Sequence, residues 1–133
     1  MEKIFVDTSA LFSLANTSEA THDIAWETMK TFAERNYRLA ANNYVVVETF
    51  ALIQSRLGIE IARQFNTNVM PNLQIAWIDE EQHRAIVERL FSANRRQLSL
   101  VDCSSFETMR QLGIEQVFTF DEHFREQGFT VIP

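Results

Sequence analysis

Short, wholly apolar runs alternate along the chain with longer stretches in which apolar residues recur every three or four positions. Ile4-Phe5-Val6 is the first run, and it stops at Asp7-Thr8-Ser9. A strand covered on both faces has this unbroken apolar character. Further short runs lie at Arg38 to Ala41, Leu73 to Ile78, Gln116 to Phe120 and Phe129 to Ile132. Helical patterns separate them. A turn over Ala10 to Leu14 precedes a helix in which His22, Trp26, Met29 and Ala33 fall at helical spacing with Phe32 beside them. From Tyr44 to Ile53 the only charged residue is Glu48, so the helix from Tyr44 to Leu57, closed by Gly58, is expected to be buried most of the way round. Ile59 to Val69 continues as a helix ended by Pro71. Asp79 caps a helix from Glu80 to Asn94 with a charged face, on which His83, Arg84 and Glu88 read as solvated. Ser99-Leu100-Val101-Asp102 has the spacing of a cap for the helix that runs through Phe106, Met109 and Leu112 to Gly113. Strands that alternate with helices predict an α/β fold: a single domain over residues 1–133 with a mostly parallel sheet of about five strands flanked by helices.

Two of those strands end in an acid. Ile4-Phe5-Val6 runs into Asp7, and Val117-Phe118-Thr119-Phe120 runs into Asp121. In a parallel sheet the carboxyl ends of the strands share one edge, and ligands bind there. Glu48 needs a cation, a metal or a hydrogen-bonding partner if its helix is buried, and the plain alternative is an ion pair with Arg56 or Arg63. Asp102 lies within about 40° of Phe106 and Met109 on a helical projection, so it shares their inward stripe. Each aspartate alone also reads as a helix cap. Ser9 and Thr119 stand two residues from Asp7 and Asp121, where their hydroxyls can support the acids or cap backbone. Glu122 and His123 read as a solvated acid and a surface or packing histidine. Four carboxylates gathered in one pocket repel one another unless a hard cation binds, and Mg²⁺ or Mn²⁺ prefers oxygen ligands. Such a site supports phosphoester hydrolysis without a thiol or a histidine nucleophile.

Composition narrows the function further. The 133 residues are 46% hydrophobic with only three Gly and two Pro, which leaves no room for a flexible linker. A formal charge of −6 argues against broad non-specific nucleic-acid binding, although two divalent cations would bring it to −2. Cys103 is the only cysteine, so neither an intramolecular disulfide nor a zinc-finger array forms, and it reads as a small core residue. No apolar run approaches the roughly 20 residues that span a bilayer, and a soluble cytoplasmic protein is expected. An aspartyl-phosphate phosphatase or receiver domain also carries aspartates at strand ends, but it needs a lysine to balance the phosphoryl charge. Lys3 and Lys30 are the only lysines, and neither follows a late strand.

The stretches Phe5-Val6-Asp7-Thr8-Ser9-Ala10-Leu11, Val47-Glu48-Thr49, Leu98-Ser99-Leu100-Val101-Asp102 and Thr119-Phe120-Asp121-Glu122-His123-Phe124, in that order, resemble the PIN-domain ribonucleases of the VapC type. These are the toxins of bacterial toxin-antitoxin pairs, and the resemblance covers nearly the whole chain. It implies that Asp7, Glu48, Asp102 and Asp121 hold one or two Mg²⁺ or Mn²⁺ ions, with Ser9 and Thr119 as polar supports. It implies a parallel sheet between helices, a structured RNA substrate such as tRNA, a cognate antitoxin whose tail occupies the acidic groove, and a homodimer. The surface carrying Trp26, Met29 and Phe32 would serve the dimer or the antitoxin. A catalytically silent module of the same fold, binding RNA or protein, is the alternative.

Overall fold

In the computed structural model, which describes residues 2–133, five strands form one sheet in the order β3-β2-β1-β4-β5, and every neighbouring pair is parallel. The strands are β1 (Lys3–Val6), β2 (Arg38–Asn42), β3 (Leu73–Ala76), β4 (Gln116–Phe118) and β5 (Thr130–Ile132). Seven helices connect them: α1 (Thr8–Ala15), α2 (His22–Glu34), α3 (Asn43–Leu57), α4 (Ile59–Asn68), α5 (Glu80–Ala93), α6 (Leu100–Leu112) and α7 (His123–Glu126), with a 3₁₀ turn at Met70–Asn72.

The central strands are buried as their composition requires: Ile4, Phe5, Val6, Val117 and Phe118 have no solvent exposure. Chain direction sets the site. From β1 the chain builds outward through β2 and β3, then returns to the other side of β1 with β4 and β5. The β1–β4 boundary is therefore the topological switch point, where the loops leaving two adjacent strands diverge. Val6 pairs with Phe118, and the Asp7 amide donates to the Phe118 carbonyl at 3.0 Å, so Asp7 and the residues after β4 sit side by side at that boundary.

Local chemistry ends and starts the helices where the sequence predicts. Asp79 and Ser99 both form full capping boxes, with Gln82 and Asp102 returning the second hydrogen bond. Gly58 and Gly113 take positive φ (96° and 67°) at the ends of α3 and α6.

Two expectations about helix faces change. On α3 only Val45, Thr49 and Ile53 are buried, while Val47 is 68% exposed; the helix buries one stripe and leaves an apolar one in solvent. On α2 the buried stripe is Ala25, Thr28 and Phe32, about one residue's rotation from the His22/Trp26/Ala33 line. Phe32 belongs to the core against Phe118 and cannot be part of a partner surface. Trp26 stays 41% exposed with its indole N–H donating to the Leu14 carbonyl at 3.0 Å.

Candidate active site

Asp7 caps α1 immediately after β1, and it is buried, with 5% exposure. All the hydrogen bonds to its carboxylate fall on one oxygen. Oδ2 accepts from the Ser9 hydroxyl at 2.8 Å, the Thr119 hydroxyl at 2.9 Å and the Ser9 amide at 3.3 Å. The two hydroxyls are themselves held from the other side, because the Phe120 amide donates to Ser9 Oγ and the Asp121 amide to Thr119 Oγ1, both at 3.0 Å. Backbone thus orients hydroxyl and hydroxyl orients carboxylate, which locks the loop after β1 to the loop after β4. Ser9 and Thr119 both donate to Asp7, and Thr119 also accepts the Asp121 amide.

Asp102 stands at the third position of α6 and Asp121 in the loop before α7; both are half-buried. Asp102 Oδ2 accepts the Ser99 amide at 3.1 Å, and Asp121 Oδ1 accepts the His123 amide at 2.9 Å. Each of the three aspartates thus spends one oxygen on the fold. Among the described residues, no hydrogen bond reaches Asp7 Oδ1, Asp102 Oδ1 or Asp121 Oδ2.

Electrostatics tie the three together. Burial pushes the Asp7 carboxyl up to about 6, against its hydrogen bonds from Ser9 and Thr119 and with added repulsion from Asp102. Asp102 is also raised, first by burial and then by Asp121, while the Ser99 cap and His123 oppose the shift. Without a cation the cluster is frustrated. The fold keeps these carboxylates close although the charged forms repel.

His123 lies closer to the acids than its place in a charged run suggests. One ligand atom from each of Asp102, Asp121 and His123 lies within 4.8 Å of the others, which suits a shared cation. The His123 side chain is three-quarters buried; its Nε2 lies 3.9 Å from Asp121 Oδ1, and its Nδ1, without a hydrogen-bond partner, lies 3.5 Å from Glu126 Oε2. A histidine in the charged run Asp121-Glu122-His123 looks like any solvated one. The available signal was its spacing, two residues after a strand-end acid, where its own amide folds back onto Asp121.

Asp7 is not in that group of atoms, and neither is Glu48. Glu48 is half-buried on α3, and neither expected arginine pairs with it: Arg63 binds Glu60 at 3.0 Å, and Arg56 lies over the Phe12 ring at 5.6 Å. Glu48, Leu52 and Arg56 follow one another at i, i+4 and i+8, so they share a face of α3, and Leu52 and Arg56 border a cavity with Thr8 and Ser9. Helix α3 starts at the carboxyl end of β2, and Glu48 lies in its second turn. The N-terminus of α3 is fixed there by Asn42, whose Oδ1 caps the Val45 amide at 2.9 Å and whose Nδ2 donates to Ser104 and Thr108 of α6. Elsewhere, Arg95 pairs with Glu126 at 3.2 Å, and Cys103 is buried in α6 with its thiol pushed up by burial.

Comparison with known proteins gives the site its context. The sequence profile of the PIN domain matches residues 4–129. The 23S rRNA-specific endonuclease VapC20 of Mycobacterium tuberculosis is 30% identical over 134 aligned positions, covering 97% of both chains. Its crystal structure, described as that of a sarcin-ricin loop cleaving toxin, superposes with a TM-score of 0.81 at 28% identity over 96% of each chain. The fold is shared more widely: VapBC2 from Rickettsia felis, bound to a promoter DNA fragment, superposes with a TM-score of 0.73 at 11% identity, over 98% of this chain and 97% of that one. A profile match over nearly the whole length, a relative at 30% identity and a five-stranded parallel sheet with acids at its switch point agree, and the chain belongs to the PIN domain family.

Proposed function

We propose that the protein is a metal-dependent endoribonuclease that hydrolyses phosphodiester bonds in structured RNA and acts as the toxin of a toxin-antitoxin pair. The observation that carries this reading is the arrangement of Asp7, Asp102 and Asp121, each anchored through one oxygen with the other left without a hydrogen bond, at the switch point of the sheet. The donor set fits a hard divalent cation: carboxylates of three aspartates, two of them with carboxyls raised chiefly by burial, and a histidine whose Nε2 lies 3.9 Å from Asp121 Oδ1. Asp7, Asp102 and Asp121 would hold Mg²⁺ or Mn²⁺, with Glu48 as the fourth acid and His123 beside Asp102 and Asp121. When bound, the ion would lower the pKa of water and offset charge on the phosphate. The protein's own contribution is geometric. Ser9 and Thr119 hold the Asp7 plane fixed, and the capping bonds hold Asp102 and Asp121, so little reorganisation is left for the moment of reaction.

The 30% identical relative is named for 23S rRNA, which supports ribosomal RNA over the tRNA expected from family resemblance alone. The same relative is described as a toxin, which supports an antitoxin partner. A homodimer through α2 is part of the proposal: Ile24 and Trp26 leave 44% and 41% of their surface open there. No helix among the described residues is long and apolar enough to cross a membrane. Incubating the purified, antitoxin-free protein with total RNA and mapping fragment ends tests the activity. Discrete cuts in 23S rRNA that need Mg²⁺ or Mn²⁺ are expected, and cuts that persist in EDTA would refute the metal assignment.

A further inference from the structure

Beside the acids lies a cavity of about 350 Å³, bordered by Thr8, Ser9, Phe12, Leu52, Arg56 and Phe120 among others. It shares its wall with the acid cluster. Ser9 binds Asp7 through its hydroxyl, Thr8 follows Asp7 in sequence, and Phe120 precedes Asp121. Two features suit it to one RNA base. Phe12 and Phe120 offer half-buried aromatic faces. Arg56 is the only Lys or Arg on its border; its guanidinium already lies over the Phe12 ring, and among the described residues no carboxylate is within 4.0 Å of it.

On the basis of the ribonuclease reading above, we propose that this cavity holds the unpaired nucleotide next to the scissile phosphate, with Arg56 as a substrate-positioning residue. Structured RNA is read chiefly at loops whose bases splay out onto aromatic rings and arginine planes, and this border has both. Glu19 on the same border disfavours a free anion and leaves a base edge as the better partner. The Glu48-Leu52-Arg56 face spans about 12 Å of helix, a short step along an RNA strand from the acids to the cavity.

The test is RNA binding by Asp7→Asn protein, with and without Arg56→Gln, using short single-stranded ribonucleotides that carry 2-aminopurine at successive positions. Quenching at one position is expected in the parent. Arg56→Gln should weaken binding roughly tenfold, and Leu52→Trp, which fills the cavity, should abolish the quenching. Equal affinity and equal quenching in all three proteins would overturn the cavity assignment. Cleavage of total RNA by the wild type in the same buffer separates the two readings: cutting that persists while Arg56→Gln binds normally leaves the nuclease standing and removes only this inference.

Discussion

The two edges of one sheet make opposite use of the same architecture. At the amino ends of the strands lies the larger opening, about 940 Å³, bordered by Glu2, Lys3, Arg35, Tyr37 and Glu115 among others. At the carboxyl ends the openings are smaller, yet Asp7 and Asp102 are held there with their carboxyls raised by burial. At the first edge cations and acids are mixed and lie in solvent, where charge is cheaply solvated. At the second, carboxylates are kept together against repulsion by hydrogen bonds from Ser9, Thr119 and Ser99. Size does not mark the functional edge. Charge held in an unfavourable place, with hydrogen bonds arranged to keep it there, does.

The largest effect should come from Asp7→Asn. Asparagine can still accept from Ser9 and Thr119 through its carbonyl oxygen but places an NH₂ group where Asp7 Oδ1 stands, so cleavage should fall by roughly a thousandfold or more in single-turnover assays. The same substitution should stabilise the metal-free protein at pH 7 by up to roughly 3 kcal/mol, read from urea unfolding, because it removes a buried charge. Loss of activity together with gain of stability is the signature of a functional edge. Either change alone would weaken the contrast.

The pH dependence follows from the same group. Asp7 has a folded-state pKa of about 6 against 3.8 for the free side chain, so the folded protein binds more protons than the unfolded one between those values. The stability this provides is present below about pH 4 and is lost as pH rises through about 6. Urea midpoints of the metal-free protein should decline over that window, and Asp7→Asn should not show that part of the decline.

Thr119→Val removes one donor from Asp7 and leaves the Asp121 amide without its acceptor, so a ten- to hundredfold loss of activity and about 1–3 kcal/mol of stability are expected. Glu48→Gln should cost activity about tenfold with little change in stability, because among the described residues no hydrogen bond or ion pair holds that carboxylate. An undiminished Glu48→Gln enzyme would restrict the site to the three aspartates. Smallest of all, Arg35→Ala at the opposite edge should change cleavage less than about twofold and stability by about 0.5 kcal/mol or less.

The sequence shows these two edges unequally. Unbroken apolar runs ending in Asp7 and Asp121 were enough to read parallel strands and to place both acids on one edge, since burial on both faces leaves a direct mark on composition. Capping spacing fixed the start of α6 and with it Asp102. What covers a helix leaves no such mark. Val47 is as apolar as Val45, yet one is 68% exposed and the other fully buried, because the face of α3 that meets α1 and α6 depends on segments distant in sequence. His123 and Arg56 stayed hidden for the same reason. Each sits in a polar or mixed stretch that reads as solvated, and only the tertiary approach of α7 to α6, or of α3 to α1, gives it neighbours of consequence.

The most direct test of the central claim is cleavage of a stem-loop RNA carrying the sarcin-ricin sequence, by wild type and Asp7→Asn, each with Mn²⁺ and with EDTA. The account predicts a discrete cut by the wild type with Mn²⁺ and none in the other three reactions. Cutting by Asp7→Asn at the wild-type rate, or equal cutting in EDTA, would contradict it.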